Sequence, residues 1–240
     1  MAGLFEGLDP IGEGLFQAIE LIVTLDPAVM EITARSLIIT FSAVLLGSLI
    51  SLPIGAAIAF KEFPGRKSVI NLVQTMYAVP TVVVGLVVFL FIRRTGPFGA
   101  LGLLFTPGGM IIGQTILVLP IIIGLTISAL IAVDTTIRDT IISLGATKVQ
   151  FFFSVLKEAR FAIVAAVAMA FGRAISEVGA AIIIGGNIQA SSFWSSTRIL
   201  TTAITLETGR GDIALSIALG IILLSIALVV NVLMNLVQQR

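Results

Sequence analysis

The chain has 240 residues, of which 58% are hydrophobic and only 11% charged, with a formal net charge of +1 and neither His nor Cys. Soluble domains carry about 25% charged residues, so a water-soluble enzyme, a disordered tail and a basic nucleic-acid binder are all excluded. Without His or Cys there is no Ser-His triad, no thiolate metal site and no Cys nucleophile, and neither a metal nor a cofactor is expected on this chain.

What remains is an all-α integral membrane protein. In residues 1–32, Glu13, Gln17, Glu20 and Thr24 recur every three to four positions, with Leu15, Phe16, Ile19 and Ile22 between them. That spacing predicts an amphipathic interfacial helix ending near Asp26-Pro27. No basic region precedes its apolar part, so a cleaved signal peptide is not expected. Residues 33–240 then form one transmembrane domain. A membrane-crossing helix needs about 20 predominantly apolar residues. Five stretches qualify: Ser36–Phe60, Ser68–Ile92, Gly108–Val133, Phe161 to about Gly186, and Ile213–Gln239. None alternates as a barrel strand would. Pro53, Pro80 and Pro120 are expected as kinks inside spans one to three. Gln114 predicts an interhelical hydrogen bond, and Trp194 an interfacial anchor. The Ser/Thr-rich segment Gly185–Asp212 is expected outside the membrane core.

Lys and Arg in the loops set the orientation. Lys61, Arg66, Lys67, Arg138, Lys148, Lys157, Arg160 and Arg240 fall on one side, and Arg93, Arg94, Arg198 and Arg210 on the other. The richer side is expected in the cytoplasm, with the N-terminus outside and the C-terminus inside.

The connection from Asp134 to Arg160 is long for a helix–helix loop, which usually takes 2–8 residues. Ile137, Ile141 and Leu144 fall at i, i+4 and i+7, giving a short helix one apolar face, and Gly145 ends it. That face either docks into a groove on a soluble partner or packs against its own bundle. In the fourth span, Arg173 and Glu177 stand four residues apart and can pair. They are the two charges expected deep in a span, facing the bundle interior, a subunit interface or a water-filled path. They are candidates for the translocation path or gate, with a purely structural ion pair as the alternative. Ala168, Gly172, Ser176 and Ala180 recur every fourth position, a small-residue ridge for close helix packing.

Asp139-Thr140-Ile141, three residues, then Gly145-Ala146-Thr147 resembles the "EAA" loop of ABC-transporter permeases. Asp and Thr replace the first two residues of that motif, and Lys157-Glu158 stands where its Leu-Pro ending would be; the Leu144-Gly145-Ala146-Thr147 core and the spacing are kept. Phe171 to Gly179, Gly185-Gly186-Asn187-Ile188 and Thr197 to Gly211 look like the molybdate and tungstate oxyanion importers of that family, closest to its tungstate permeases. The resemblance covers roughly residues 30–240. It implies a type I, MetI-like importer fold and a coupling loop, about residues 134–157, inserted into an ABC ATPase. It implies a homodimer with two ATPase copies and an extracytoplasmic oxyanion-binding protein, in the cytoplasmic membrane of a prokaryote. The expected cargo is tungstate, with molybdate or sulfate as alternatives. No G-x-x-x-x-G-K-[ST] run exists, so ATP would be used by the partner and this chain is not expected to be an enzyme. An ion-coupled secondary transporter would need intramembrane carboxylates, and Glu177 is the only one within a span. An intramembrane hydrolase would need a His or a paired-carboxylate site, which the spans lack.

Overall fold

A computed structural model describes residues 9–238, and every regular element among them is helical. In chain order these are α1 (Asp9–Val23), α2 (Pro27–Phe60), α3 (Arg66–Thr75), α4 (Thr81–Ile92), α5 (Pro107–Ile131), α6 (Thr135–Ser143), α7 (Lys148–Glu158), α8 (Arg160–Ile175), α9 (Gly179–Gly185), α10 (Leu200–Arg210) and α11 (Ile213–Gln238). The first eight residues of the expected interfacial segment, and Arg240 with its part in the charge tally, lie outside the described residues.

Three helices, α2, α5 and α11, are each long and apolar enough to cross a membrane, and there are five spans if each bent pair counts once. The five apolar stretches are therefore present, but two of them are not single helices. The second breaks by 97° between the turn Met76–Ala78 and α4. Pro80 is the cause: it has no N–H, and Val79 before it is extended at φ −65°, ψ 126°. Instead of kinking a continuous helix as expected, Pro80 starts a new one, while Pro53 and Pro120 do remain inside α2 and α5. The fourth stretch bends by 61° between α8 and α9. There the Glu177 carboxylate accepts the Ala180 N–H at 3.1 Å and so caps α9 from outside the helix.

The first span starts earlier than its apolar run. Asp26 caps it, accepting the Ala28 and Val29 N–H groups at 2.9 and 3.1 Å, with Pro27 in the first turn. The 34 residues of α2 reach about 50 Å, beyond a ~30 Å hydrocarbon core. The extra length carries Glu31 and Arg35 at one end of the bundle.

The centre of the bundle is α2 against α5, with Val44, Val118, Ile122, Ala170 and Ala174 joining them to α8. Close approach depends on glycine: a Cβ on Gly47 would stand 2.6 Å from Val118, and one on Gly55 2.9 Å from Thr126. At the α2 N-terminal end, Val29, Ile32, Leu200, Ala203 and Leu219 pack α2, α10 and α11 together, and α1 lies along α11. The half-helices α4 and α9 meet where a Cβ on Gly85 would lie 2.7 Å from the Ala180 Cα. Tyr77, in the turn before the first break, presses its hydroxyl where a Gly124 Cβ would be.

Residues 186–199 form a packed cap rather than an open loop. Thr197 Oγ1 accepts the Ile188 N–H at 2.9 Å, and Ser196 Oγ donates to the Ile188 carbonyl at 3.0 Å. Asn187 donates to the Thr202 carbonyl, and the Leu200 N–H to Ser36 Oγ. The richness in Ser and Thr therefore has an internal explanation: the hydroxyls satisfy backbone groups that burial takes away from water.

Candidate coupling surface and substrate path

At the C-terminal end of α2, helices α6 and α7 form a two-helix lobe. Asp134 caps α6, accepting the Thr136 N–H at 2.7 Å, and that backbone hydrogen bond holds its carboxyl below the usual aspartate range. The cap is thus in place above the ordinary carboxylate pKa and is lost only as pH falls through the lowered value. The Leu144–Thr147 core is a stop, a turn and a start. Gly145 takes φ +75°, with nothing within 4 Å of the Cβ it lacks, so backbone conformation and not space requires glycine. Thr147 then caps α7 reciprocally with Gln150, at 3.3 and 2.8 Å.

The apolar residues of the lobe divide between two directions. Ile141 turns inward with Phe151 and Phe152 onto the Leu130, Val133 and Val155 cluster. Leu144, 82% exposed, turns outward with Ile142, Val149 and Phe153. Asp139 and Thr140 are exposed beside them, and Ala146 is half-buried. Arg138 fastens the lobe to the span behind it, donating to the Val133 carbonyl at 3.2 Å and to that of Leu130. Arg66 ties the start of α3 to the end of α2, donating to the Ile58 and Ala59 carbonyls at 2.8 and 2.9 Å.

The second set lies where the two broken spans meet. A Cβ on Gly179 would touch Val82 at 2.7 Å, so the α4 and α9 starts are neighbours. Arg173 Nη1 is 3.7 Å from Glu177 Oε2, with Arg173 49% exposed and Glu177 only 3%. The pair is electrostatic contact, longer than a hydrogen bond. Arg173 also lines a cavity of about 70 Å³ with Tyr77, Val79, Thr81 and Pro120. Thr201 Oγ1 donates to the Glu177 carbonyl at 2.8 Å, linking the break to α10 beside the 186–199 cap. The four small residues do not form one ridge: Ala168 and Gly172 lie on α8, Ser176 ends it exposed, and Ala180 sits past the bend against Gly85. Gln114 is 2% exposed, and neither its Nε2 nor its Oε1 finds a hydrogen-bond partner, contrary to the interhelical bond expected of it.

The third set was not anticipated from the sequence. Arg35, 2% exposed, donates to the Phe193 carbonyl at 3.1 Å and the Arg198 carbonyl at 3.0 Å, pairs with Glu31, and stacks over the Phe193 ring at 4.8 Å. Arg198 pairs with Glu207, both buried, and donates to Gln189 at 2.9 Å. Burial pushes the Arg198 guanidinium below its ordinary value, with the Arg210 and Arg35 charges adding and Asp212 opposing. Arg35 is buried more completely than Arg173, but at the end of the bundle rather than within the length of a span. Asp26-Pro27 was the available signal for Arg35, because a helix starting there puts Glu31 and Arg35 four apart and inside it. Nothing in the spacing of Arg198 and Glu207 announces their contact.

A family model described as "Binding-protein-dependent transport system inner membrane component" matches residues 51–240. A probable anion ABC transporter permease protein of Haloferax volcanii is 47% identical, covering 85% of this chain and 88% of that protein. A tungstate uptake system permease protein of Peptoclostridium acidaminophilum is 35% identical over 97% of this chain and all of its own length. The corresponding protein of Campylobacter jejuni is 36% identical over 93% of this chain and 92% of that one. Among solved structures, inward-facing MetNI methionine ABC transporter superposes with a TM-score of 0.67 at 17% identity, covering 88% of this chain and 95% of that one. That likeness is one of fold.

Proposed function

Since the chain belongs to the family of inner membrane components of binding-protein-dependent transport systems, we propose that it is the tungstate-importing member, working as a homodimer with two ATPase subunits and an extracytoplasmic binding protein. The observation that carries the reading is the α6–α7 lobe. It holds out Ile142, Leu144, Val149 and Phe153 to solvent while Arg138 ties it to the end of α5. A groove on a moving ATPase that takes this apolar patch moves α5 directly. The basic α6–α7 end is the cytoplasmic one, and the Arg35–Arg198 end faces outward to the binding protein. The full-length likeness to tungstate uptake permeases supports the cargo.

Arg173 and Glu177 serve as the path or gate in this reading. A half-exposed guanidinium, restrained by a carboxylate at 3.7 Å, attracts an anion without trapping it, which conduction requires. The decisive experiment reconstitutes the chain with its ATPase and binding protein and compares ATP hydrolysis with tungstate, molybdate and sulfate. Tungstate is expected to stimulate at the lowest concentration. No stimulation by any of the three overturns the importer reading, and stimulation by molybdate alone overturns the cargo. In the same vesicles, Glu177→Gln leaves Arg173 unrestrained and is expected to slow transport about tenfold, the equivalent of ~1.4 kcal/mol. Unchanged transport per ATP in a normally assembled variant removes the pair from the path.

A further inference from the structure

Between α2, α5, α7 and α8 lies a pocket of about 460 Å³, within the range that holds a small amphiphile. Pro53, Phe152, Leu156 and Val164 make its wall apolar, and Arg160 is the one charged residue in its lining. Arg160 is solvent-exposed and so marks the mouth. Its guanidinium stacks on Phe161 at 4.4 Å and gives one N–H to the Lys157 carbonyl at 3.1 Å. Its remaining N–H groups make no hydrogen bond among the described residues. Inside, Thr126 is 1% exposed and its hydroxyl has no hydrogen-bond partner.

On the orientation proposed above, we propose that this pocket is a binding site for an anionic glycerophospholipid of the inner leaflet, one acyl chain lying among Pro53, Phe152 and Leu156 and the headgroup phosphate held by Arg160. An apolar interior with a cationic mouth selects an amphiphile of negative head. The site joins α7 of the coupling lobe to the two central spans, so its occupant adds to the packing between them.

Trp194 is the only tryptophan in the chain, which makes the test direct. Trp194→Phe with Val164→Trp places one fluorophore at the pocket rim in the otherwise intact full-length protein. In nanodiscs of phosphatidylcholine, a tenth of the lipid is replaced by phosphatidylglycerol with brominated acyl chains or, in a parallel sample, by brominated phosphatidylcholine. The anionic lipid is expected to quench at least about fivefold more effectively at equal mole fraction, and Arg160→Gln to erase the preference. Equal quenching by the two lipids overturns the proposal, since it describes ordinary bulk lipid. So does the absence of quenching by either, which describes a pocket covered by protein. Native mass spectrometry of the unsubstituted protein is the second measurement: phosphatidylglycerol is expected to be retained over phosphatidylcholine, and equal retention counts against the site whatever the double variant does.

Discussion

Leu144→Asp is expected to uncouple the chain from its ATPase while leaving the fold intact. Leu144 is 82% exposed, so a charge there meets water and changes stability by no more than about 0.5 kcal/mol. In a complex it is the most protruding apolar group of the α6–α7 lobe, placed by the Gly145 turn between two capped helices. Central apolar anchors of an interface are worth about 2 kcal/mol or more, so ATPase affinity should fall at least about 30-fold. The measurement is ATPase co-purification and titrated binding in detergent, beside a thermal melt of the isolated chain. Unchanged affinity would mean that the lobe's exposed patch is not the docking surface. Ile141→Ala should behave in the opposite way, lowering the melt with a smaller effect on binding, because that side chain packs inward on Val133 and Val155.

The second large effect lies at the other end. Glu207→Gln keeps the shape of the side chain and removes the charge that faces the buried Arg198. Removing one partner of a buried pair costs about 3–5 kcal/mol, because the remaining charge has lost its water and has no counter-ion. Arg210 sits 3.3 Å from the same carboxylate, so its neutralisation also leaves two like charges facing each other. The thermal midpoint of the chain in detergent should drop sharply. The double substitution Arg198→Met with Glu207→Leu should recover much of the loss, since an apolar pair of similar volume carries no desolvation penalty. A melt indifferent to Glu207→Gln would show that water already reaches Arg198.

The five apolar stretches were legible because hydropathy over 20 residues depends on composition alone. Whether a stretch is one helix or two depends on what lies beside it. Pro80 signals a kink and a break with equal force, and the break is stabilised by contacts the sequence does not display: Gly179 against Val82, Gly85 against Ala180, Glu177 turned to cap Ala180. The four-residue repeat of Ala168, Gly172, Ser176 and Ala180 failed for the same reason, since a repeat has meaning only along an unbroken axis. The α6–α7 lobe was readable in its local chemistry, the Gly145 turn and the apolar period. Which apolar residue faces inward was not, because Ile141 and Leu144 are three apart and both directions were open. Arg35 escaped notice by standing one residue before an apolar run. Arg198 and Glu207 escaped it because pairing across a folded cap leaves no periodic trace.

The contact between Gly85 and Ala180 has a mechanical consequence. Two rigid rods hinged separately would have two independent angles. These two are pressed backbone to backbone at Gly85 and Ala180 and interlocked further along through Val88, Ile92, Ala181 and Ile184, and their hinges at Pro80 and Glu177 lie side by side. Rotation at one hinge is then geometrically tied to rotation at the other. The half-helices α4 and α9 constitute a single lever, with Tyr77 seated against Gly124 as its bearing on the central span. An assembly of two such chains has two levers to set, one per subunit, where the element list alone would suggest four.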